Sequence, residues 1–246
     1  MKLIINADDF GFSESVNKGI EYCLDNNLVT SASVMVNAEY ANHALEICKS
    51  KGYTNIGVHL NLTYGKPVLA PKQIKSLVDE KGVFHYMCSL GYWTKYEDAK
   101  KELKAQIEKF LSSGIKPSHL DYHHYFHEVP VIYKALVELA KEYNLPIRAM
   151  TKDAQNYAKE NGVKTADAFC FSFHDWGATV ETLQELCNQY GKSDLTIELM
   201  TTPGFIDDYT RIHTTYLYRE DEIEELKKAK ELNIFKDIEL INFNDL

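Results

Sequence analysis

The chain has 246 residues, 45% of them hydrophobic and 26% charged, the profile of a folded chain with a substantial core rather than of a disordered or membrane chain. Its net charge of −9 disfavours nucleic acid or an anionic membrane surface as partner, because both demand Lys/Arg neutralisation of phosphates; a small-molecule substrate becomes the default. Cys23, Cys48, Cys88, Cys170 and Cys187 are widely spread and lack a CxxC pair, which speaks against a disulfide framework or a thiolate zinc site and fits a reducing cytoplasm.

The opening MKLIINADDF reaches two carboxylates too soon for a signal peptide or a membrane span, so the chain is expected to start inside its fold. Strand-like runs follow at 2–8, 29–37, 55–63, 118–124, 147–150, 169–173, 196–200 and 235–243, with helix-like stretches between them. Ser13 is a plausible N-cap for a helix carrying Val16, Ile20, Cys23 and Leu24. Leu103, Ile107, Phe110 and Leu111 form a second stripe that stops at Gly114, and Ile132, Leu136, Leu139 and Tyr143 a third, ended by Asn144 and Pro146. Alternating strands and helices indicate α/β architecture. About eight strands in a chain of this length, with no Pro-, Ser- or Gly-rich linker, predict one domain over 1–246, a (β/α) barrel or an irregular TIM-barrel-like variant. A doubly wound open sheet is the alternative. The segment 64–96, with Tyr64, Phe84, His85, Tyr86, Tyr92 and Trp93, reads either as an active-site loop whose rings suit sugar faces or as an apolar cluster beneath an excursion.

In barrels of this kind chemistry sits at the C-terminal strand ends, and three polar segments fall there. Asn6-Ala7-Asp8-Asp9-Phe10-Gly11 sets adjacent carboxylates where the first strand breaks; a metal on one would leave the other available as a base. Gly57-Val58-His59-Leu60-Asn61 ends the third strand. Ser118 to His127 places four of nine histidines in ten positions, and a strand period of two puts His119, Asp121 and His123 on one face. One carboxylate and two imidazoles leave open positions for water and substrate, as catalytic metal sites do. Such a metal would polarise an amide carbonyl and acidify its water, while Asp8 removes the water's proton.

These segments, together with VTSASVMVN, GVHLNLTYGKP, KPSHLDYHHYFHEVP, LPIRAM and IELMTTPGFID, occur in an order and spacing that resembles the YdjC-like carbohydrate deacetylase family, nearly end to end. The resemblance implies a barrel variant similar to that of polysaccharide deacetylases. It implies a divalent metal ion, Zn2+ or Mg2+, on Asp9, His59 and His123, with Asp8 as general base and Arg148 holding a carboxylate or substrate. Two imidazoles and a carboxylate suit zinc better than magnesium. The implied reaction removes the N-acetyl group from short chitin-derived oligosaccharides such as chitobiose, in some members as 6-phosphates, and the implied assembly is a homodimer. Lys66, Lys72 or Arg211 are candidates for a phosphate contact.

The sequence departs from the family pattern at Thr202, where relatives usually carry a His before Pro-Gly, and at Tyr125, where many carry a third consecutive His. Thr cannot titrate near neutral pH, so His127, a proton relayed through Asp8 or an altered substrate must compensate. A sugar- or metal-binding homologue that has lost turnover, and a hydrolase of another small amide or phosphoester, are the competing readings.

Overall fold

Near-continuous apolar strands separated by amphipathic helices bury both strand faces when the sheet is parallel and wrapped by helices, and that arrangement is found. The computed structural model describes residues 1–246, the side chain of Cys88 excepted. In chain order the chain forms β1 (Lys2–Phe10), α1 (Glu14–Asp25), β2 (Ser31–Val34), α2 (Ala41–Lys51), β3 (Ile56–Leu60), α3 (Leu90–Trp93) and α4 (Tyr96–Leu111). Then follow β4 (Leu120–Tyr122), α5 (Pro130–Tyr143), α6 (Lys152–Glu160), β5 (Ala168–Cys170), α7 (Val180–Tyr190), β6 (Thr196–Thr201), α8 (Asp208–His213), α9 (Arg219–Glu231) and β7 (Glu239–Leu240).

The strands lie in the order β4-β3-β2-β1-β6-β5, and every pairing is parallel. β6 follows β1 from Lys2 to Ala7, and β2 joins β1 from Asn6 onward, so β7 fits beside Lys2 and Leu3 at the start of β1. The sheet curls into a half-barrel. On a flat sheet β4 and β6 would stand four strand spacings apart, about 19 Å. Instead Arg148, which lies next to β4, hydrogen-bonds Glu198 of β6 and Asp8 of β1 at 2.6 Å each.

A strand was expected over 147–150, but the structure gives only an isolated parallel bridge between Ile147 and Leu120. Its partner β4 is three residues long, Ile147 N–H turns away to the carbonyl of Lys164, and Thr151 already caps α6. The helix signals correspond well. Ser13 Oγ accepts from Val16 N–H at 3.0 Å, and α5 begins on Pro130 and stops at Asn144 in the left-handed conformation, which Asn tolerates.

The 64–96 segment divides in two. Ile74, Leu77, Val78, Phe84 and Leu90 are buried in the main apolar cluster, whereas Tyr86, Tyr92 and Trp93 stand in solvent. Glu102 of α4 pins its start by accepting from the Val68 and Leu69 N–H groups. Gln106, one turn on, clamps both backbone groups of Asn61 and fixes the end of β3.

Helix α1 approaches the turn after β6 so closely that a Cβ on Gly19 would lie 2.5 Å from Gly204 Cα. Gly19→Ala is therefore expected to destabilise the protein by about 1–3 kcal/mol through overpacking, with Gly91→Ala, which meets open space, as a neutral control in urea unfolding.

Candidate active site

Asn6 and Asp8 alternate onto the interior face of β1, as a strand requires; a regular strand would send Asp9 the other way. The register prevents this: Ala7 pairs with Ala32 and Phe10 with Val34, so β1 carries one residue more than β2 over that stretch. This is a β-bulge, which re-aims side chains beside functional sites. Asp9 takes φ 69°, a conformation that Asp adopts more readily than most residues. Both carboxylates thereby face the same interior, buried to within 4% of complete.

The two are held by different guanidiniums. Arg148 grips Asp8 with two bonds, Nη1 to Oδ2 at 2.6 Å and Nη2 to Oδ1 at 2.7 Å, and Asn6 Nδ2 adds a third to Oδ1 at 2.9 Å. Arg219, at the start of α9, donates from Nη2 to Asp9 Oδ2 at 2.7 Å. Asp9 Oδ1 is left buried with no hydrogen-bond partner. His59 Nε2 lies 3.5 Å and His123 Nδ1 3.2 Å from it.

His59 owes its orientation to its neighbour in the ladder. β3 and β4 pair His59 with Asp121, so both side chains leave the sheet on one face, and His59 Nδ1 meets Asp121 Oδ1 at 3.0 Å. That contact turns Nε2 toward Asp9. Asp121 is itself fixed through Oδ2 by Ser33 Oγ at 2.6 Å and Asn6 Nδ2 at 3.0 Å. His123 stays in the ladder through its N–H bond to the Leu60 carbonyl.

Two donor groups are compact enough for a metal ion, Asp9-His59-His123 and Asp8-His59-Asp121. The second already encloses the Arg148 guanidinium, 3.3 Å from Asp121 Oδ2, and its oxygens have partners, so a cation there would meet a fixed like charge. The first has an orphaned carboxylate oxygen facing two imidazole nitrogens, and unpaired buried acceptors are costly unless something fills the role. Asp9-His59-His123 therefore fits a divalent cation.

The electrostatics agree. Burial alone would raise the Asp9 carboxyl, but Arg219 first, then His123 and His59, outweigh it and hold Asp9 well below the usual carboxylate range. Burial opposes the His59 imidazolium, yet Asp121 above all, with Asp8 and Asp9, pushes it up to about 9. Burial lifts Glu198 and Glu222 to about 7, against the pull of Arg148 on the first and of Tyr216 and Thr202 on the second. Asp8, Asp9 and Asp121 still outnumber the two guanidiniums, so the interior attracts a proton or a cation.

Of the residues singled out from sequence, the structure brings Asp8, Asp9, His59, His123 and Arg148 together. It does not bring His127 to them. β4 ends at Tyr122, whose side chain leaves the face opposite Asp121 and packs on Phe126 and Tyr133. The following turn sets His127 beside the hydroxyl of that outward ring, Nδ1 3.5 Å from Tyr122 Oη. His119 shares the Asp121 face but lines the floor, stacked on Phe243 at 3.7 Å, in space that Gly57 leaves free. Lys66, Lys72 and Arg211 are exposed. Arg219 and Glu222 carry no sequence signal, because they sit in a charge-rich stretch, REDEIEELKK, that reads as a solvated helix face. Glu198 carried a weak signal, one charge inside the apolar strand TIELM.

A parallel, barrel-like α/β fold with its buried acid and imidazole groups gathered at the ends of β1, β3 and β4 has the layout of a barrel enzyme. The chain belongs to the family described as YdjC-like protein, which matches residues 2–244. It is 36% identical over 250 residues to a carbohydrate deacetylase of Clostridium beijerinckii, covering 100% of both chains. It is 34% identical to a carbohydrate deacetylase of Thermoanaerobacter pseudethanolicus, covering 98% of this chain and 97% of that one. Among solved structures, it superposes with a TM-score of 0.93 on a protein from Enterococcus faecalis V583 provisionally named a cellobiose-phosphate cleavage protein, at 31% identity and covering 99% of this chain and 98% of the other.

Removing the Arg148 charge would leave Asp8, Asp121 and Glu198 without the buried guanidinium that all three share. Arg148→Met is expected to cost about 3–5 kcal/mol, read as a lowered urea midpoint with an unchanged slope.

Proposed function

We propose that this chain, a carbohydrate deacetylase by family, hydrolyses the N-acetyl group of N-acetylglucosamine units in short chitin-derived oligosaccharides such as chitobiose, using a divalent cation held by Asp9, His59 and His123. The observation that carries this reading is Asp9 Oδ1, buried without a partner and faced by His59 Nε2 and His123 Nδ1. When bound there, a divalent cation would supply Lewis-acid polarisation of the amide carbonyl and a lowered pKa for water. The donor set of two imidazoles and one carboxylate suits zinc better than magnesium.

The remaining work falls to the protein's own side chains. Asp121 accepts the Nδ1 proton of neutral His59 and so presents the Nε2 lone pair to the cradle. Asp8, gripped at both oxygens by Arg148, is held at one place in the interior and takes the proton of the attacking water as general base. Arg148 is a positioning residue: fully buried, it reaches Asp8, Asp121 and Glu198. The sugar-phosphate named for the Enterococcus relative favours trying the 6-phosphate beside the neutral sugar. Free thiols at Cys23, Cys48, Cys170 and Cys187 are compatible with a reducing cytoplasm, and assembly as a homodimer follows from the family reading. No helix among the described residues is long and apolar enough to cross a membrane.

Thr202, which cannot protonate a leaving amine, favours a second reading: a sugar-binding homologue without turnover. Acetate release separates the two. Zinc-loaded protein should liberate acetate from N,N′-diacetylchitobiose or its 6-phosphate, and sugar binding by calorimetry with no acetate from either would favour the second reading.

His59→Ala and His123→Ala should lose bound metal, as measured by elemental analysis after dialysis, whereas Asp8→Asn should keep it and lose at least about 100-fold in kcat. Metal entry must displace the proton that His59 holds up to about 9. Affinity should therefore rise with pH, about tenfold per unit between roughly pH 6 and 8, in competition with a chromophoric chelator; a flat profile would contradict this.

A further inference from the structure

Amide hydrolysis needs a proton for the departing nitrogen, because an amine anion is too poor a leaving group. The groups around the cradle mostly cannot give one. Asp8 serves the attacking water and is fixed in place by Arg148 and Asn6, and Asp121 is committed to Ser33, Asn6 and His59. His127 lies beside the hydroxyl of the outward-facing Tyr122. His124 rests against His123, ring centroids 3.9 Å apart, so a proton on it would sit beside any cation that His123 holds.

One imidazole is differently placed. His174, on the loop between β5 and α7, stacks on Tyr216 with centroids 4.1 Å apart and planes 2° from parallel. Arg219 also lies against Tyr216, its Cζ 5.6 Å from the ring centre, and Arg219 is the guanidinium that holds Asp9. Arg219 Nη1 also donates to the Thr202 carbonyl, while Thr202 Oγ1 lies 3.5 Å from His174 Nδ1. The imidazole is thus one ring and one residue removed from the cradle, with its side chain 31% exposed. Among the described residues its Nε2 has no protein partner.

Behind Nδ1 the protein has built a support. Thr202 Oγ1 donates to Glu222 Oε1 at 2.8 Å, Thr202 N–H to Oε2 at 2.5 Å, and Tyr216 Oη also to Oε1. Glu222 is fully buried, and its Oε1 lies 3.8 Å from His174 Nδ1. Thr202 Oγ1, already donating to Glu222, is left as an acceptor for Nδ1–H, and burial holds the imidazole pKa below its ordinary value against the pull of Asp175, which makes its protonated form a readier donor.

We propose that His174 is the general acid of this deacetylase, donating its Nε2 proton to the leaving amine, with Thr202 and Glu222 as positioning residues behind Nδ1. The assignment rests on the deacetylase reading above. Water oxygen bonds to the acetyl carbon as its proton passes to Asp8. The C–N bond breaks with its electron pair staying on nitrogen, which takes the His174 proton. Asp8 then releases its proton to solvent and His174 regains one, leaving acetic acid and the free amine. Thr202 acts here as the bridge between His174 and Glu222, which accounts for a residue that cannot itself titrate.

The test compares His174→Gln with wild type, both zinc-loaded and matched in metal content and Tm, on N,N′-diacetylchitobiose and on 4-nitrophenyl acetate, whose phenolate leaves without a proton. The variant should lose at least about 100-fold in kcat on the amide, keep a near wild-type rate on the ester, and lose the alkaline limb of the amide pH profile. Asp175, Arg219, Glu222, Tyr216, Asp8 and Asp9 face or act on His174 and stay unchanged in both proteins. A second readout is independent of turnover: the His174 ring resonance, assigned by its loss in the variant, should shift when glucosamine is added, because an ammonium close to Nε2 depresses the imidazole pKa. Equal losses on amide and ester, no loss on the amide, or a resonance that glucosamine leaves unmoved would each overturn the assignment. Wild type that releases no acetate from acetamido sugars would instead remove the deacetylase reading, and this assignment with it.

Discussion

Arg148 lies sealed within the barrel, its guanidinium shared among Asp8 of β1, Asp121 of β4 and Glu198 of β6. Three carboxylates from three strands could not be buried together without it, since each would carry an uncompensated desolvation cost of several kcal/mol. The same contacts draw β1, β4 and β6 around one centre, so the curvature of the sheet and the charge balance of the interior are one constraint. A lysine would not replace it: only a planar fork grips Asp8 at both oxygens while its Nε serves Glu198.

A second guanidinium completes the division between the adjacent acids. Arg219 takes Asp9 Oδ2 and leaves Oδ1 bare, whereas Arg148 and Asn6 leave Asp8 no oxygen without a partner. Two neighbouring carboxylates thus meet opposite surroundings, the arrangement from which distinct roles arise. The β-bulge makes this possible by turning Asp9 to the side on which Asp8 already lies.

The wall formed by the turn after β6 and the start of α9 is as heavily engaged as the β1 end. Glu222 receives Thr202 twice and Tyr216 once, and Gly19 of α1 admits the Pro203-Gly204 turn at close range. The position where family resemblance pointed to a histidine is thereby part of a hydrogen-bonded unit that includes His174, drawn from a different loop.

Much of this was legible in the residues themselves. Strand and helix alternation, the Ser13 and Asn144 caps and the clustering of acids and histidines at three strand ends arise from local patterns, because period and capping chemistry act within a few residues. The 147–150 strand was overestimated for the same reason: an apolar run shows propensity, not whether a partner strand is long enough to pair. Arg219 and Glu222 carried no local mark, being ordinary charged residues in a charge-rich stretch, and His174, though it follows the apolar run FCFSF, is a lone histidine whose partners all lie in other segments. The amino-acid order determined which elements form and which donors stand at their ends. Only the tertiary structure decided that a bulge would turn Asp9 inward, that Arg148 would span the barrel and that His127 would face away, because those outcomes depend on the register between strands, on contacts as distant along the chain as Asp8 with Arg148, and on which face a short strand presents.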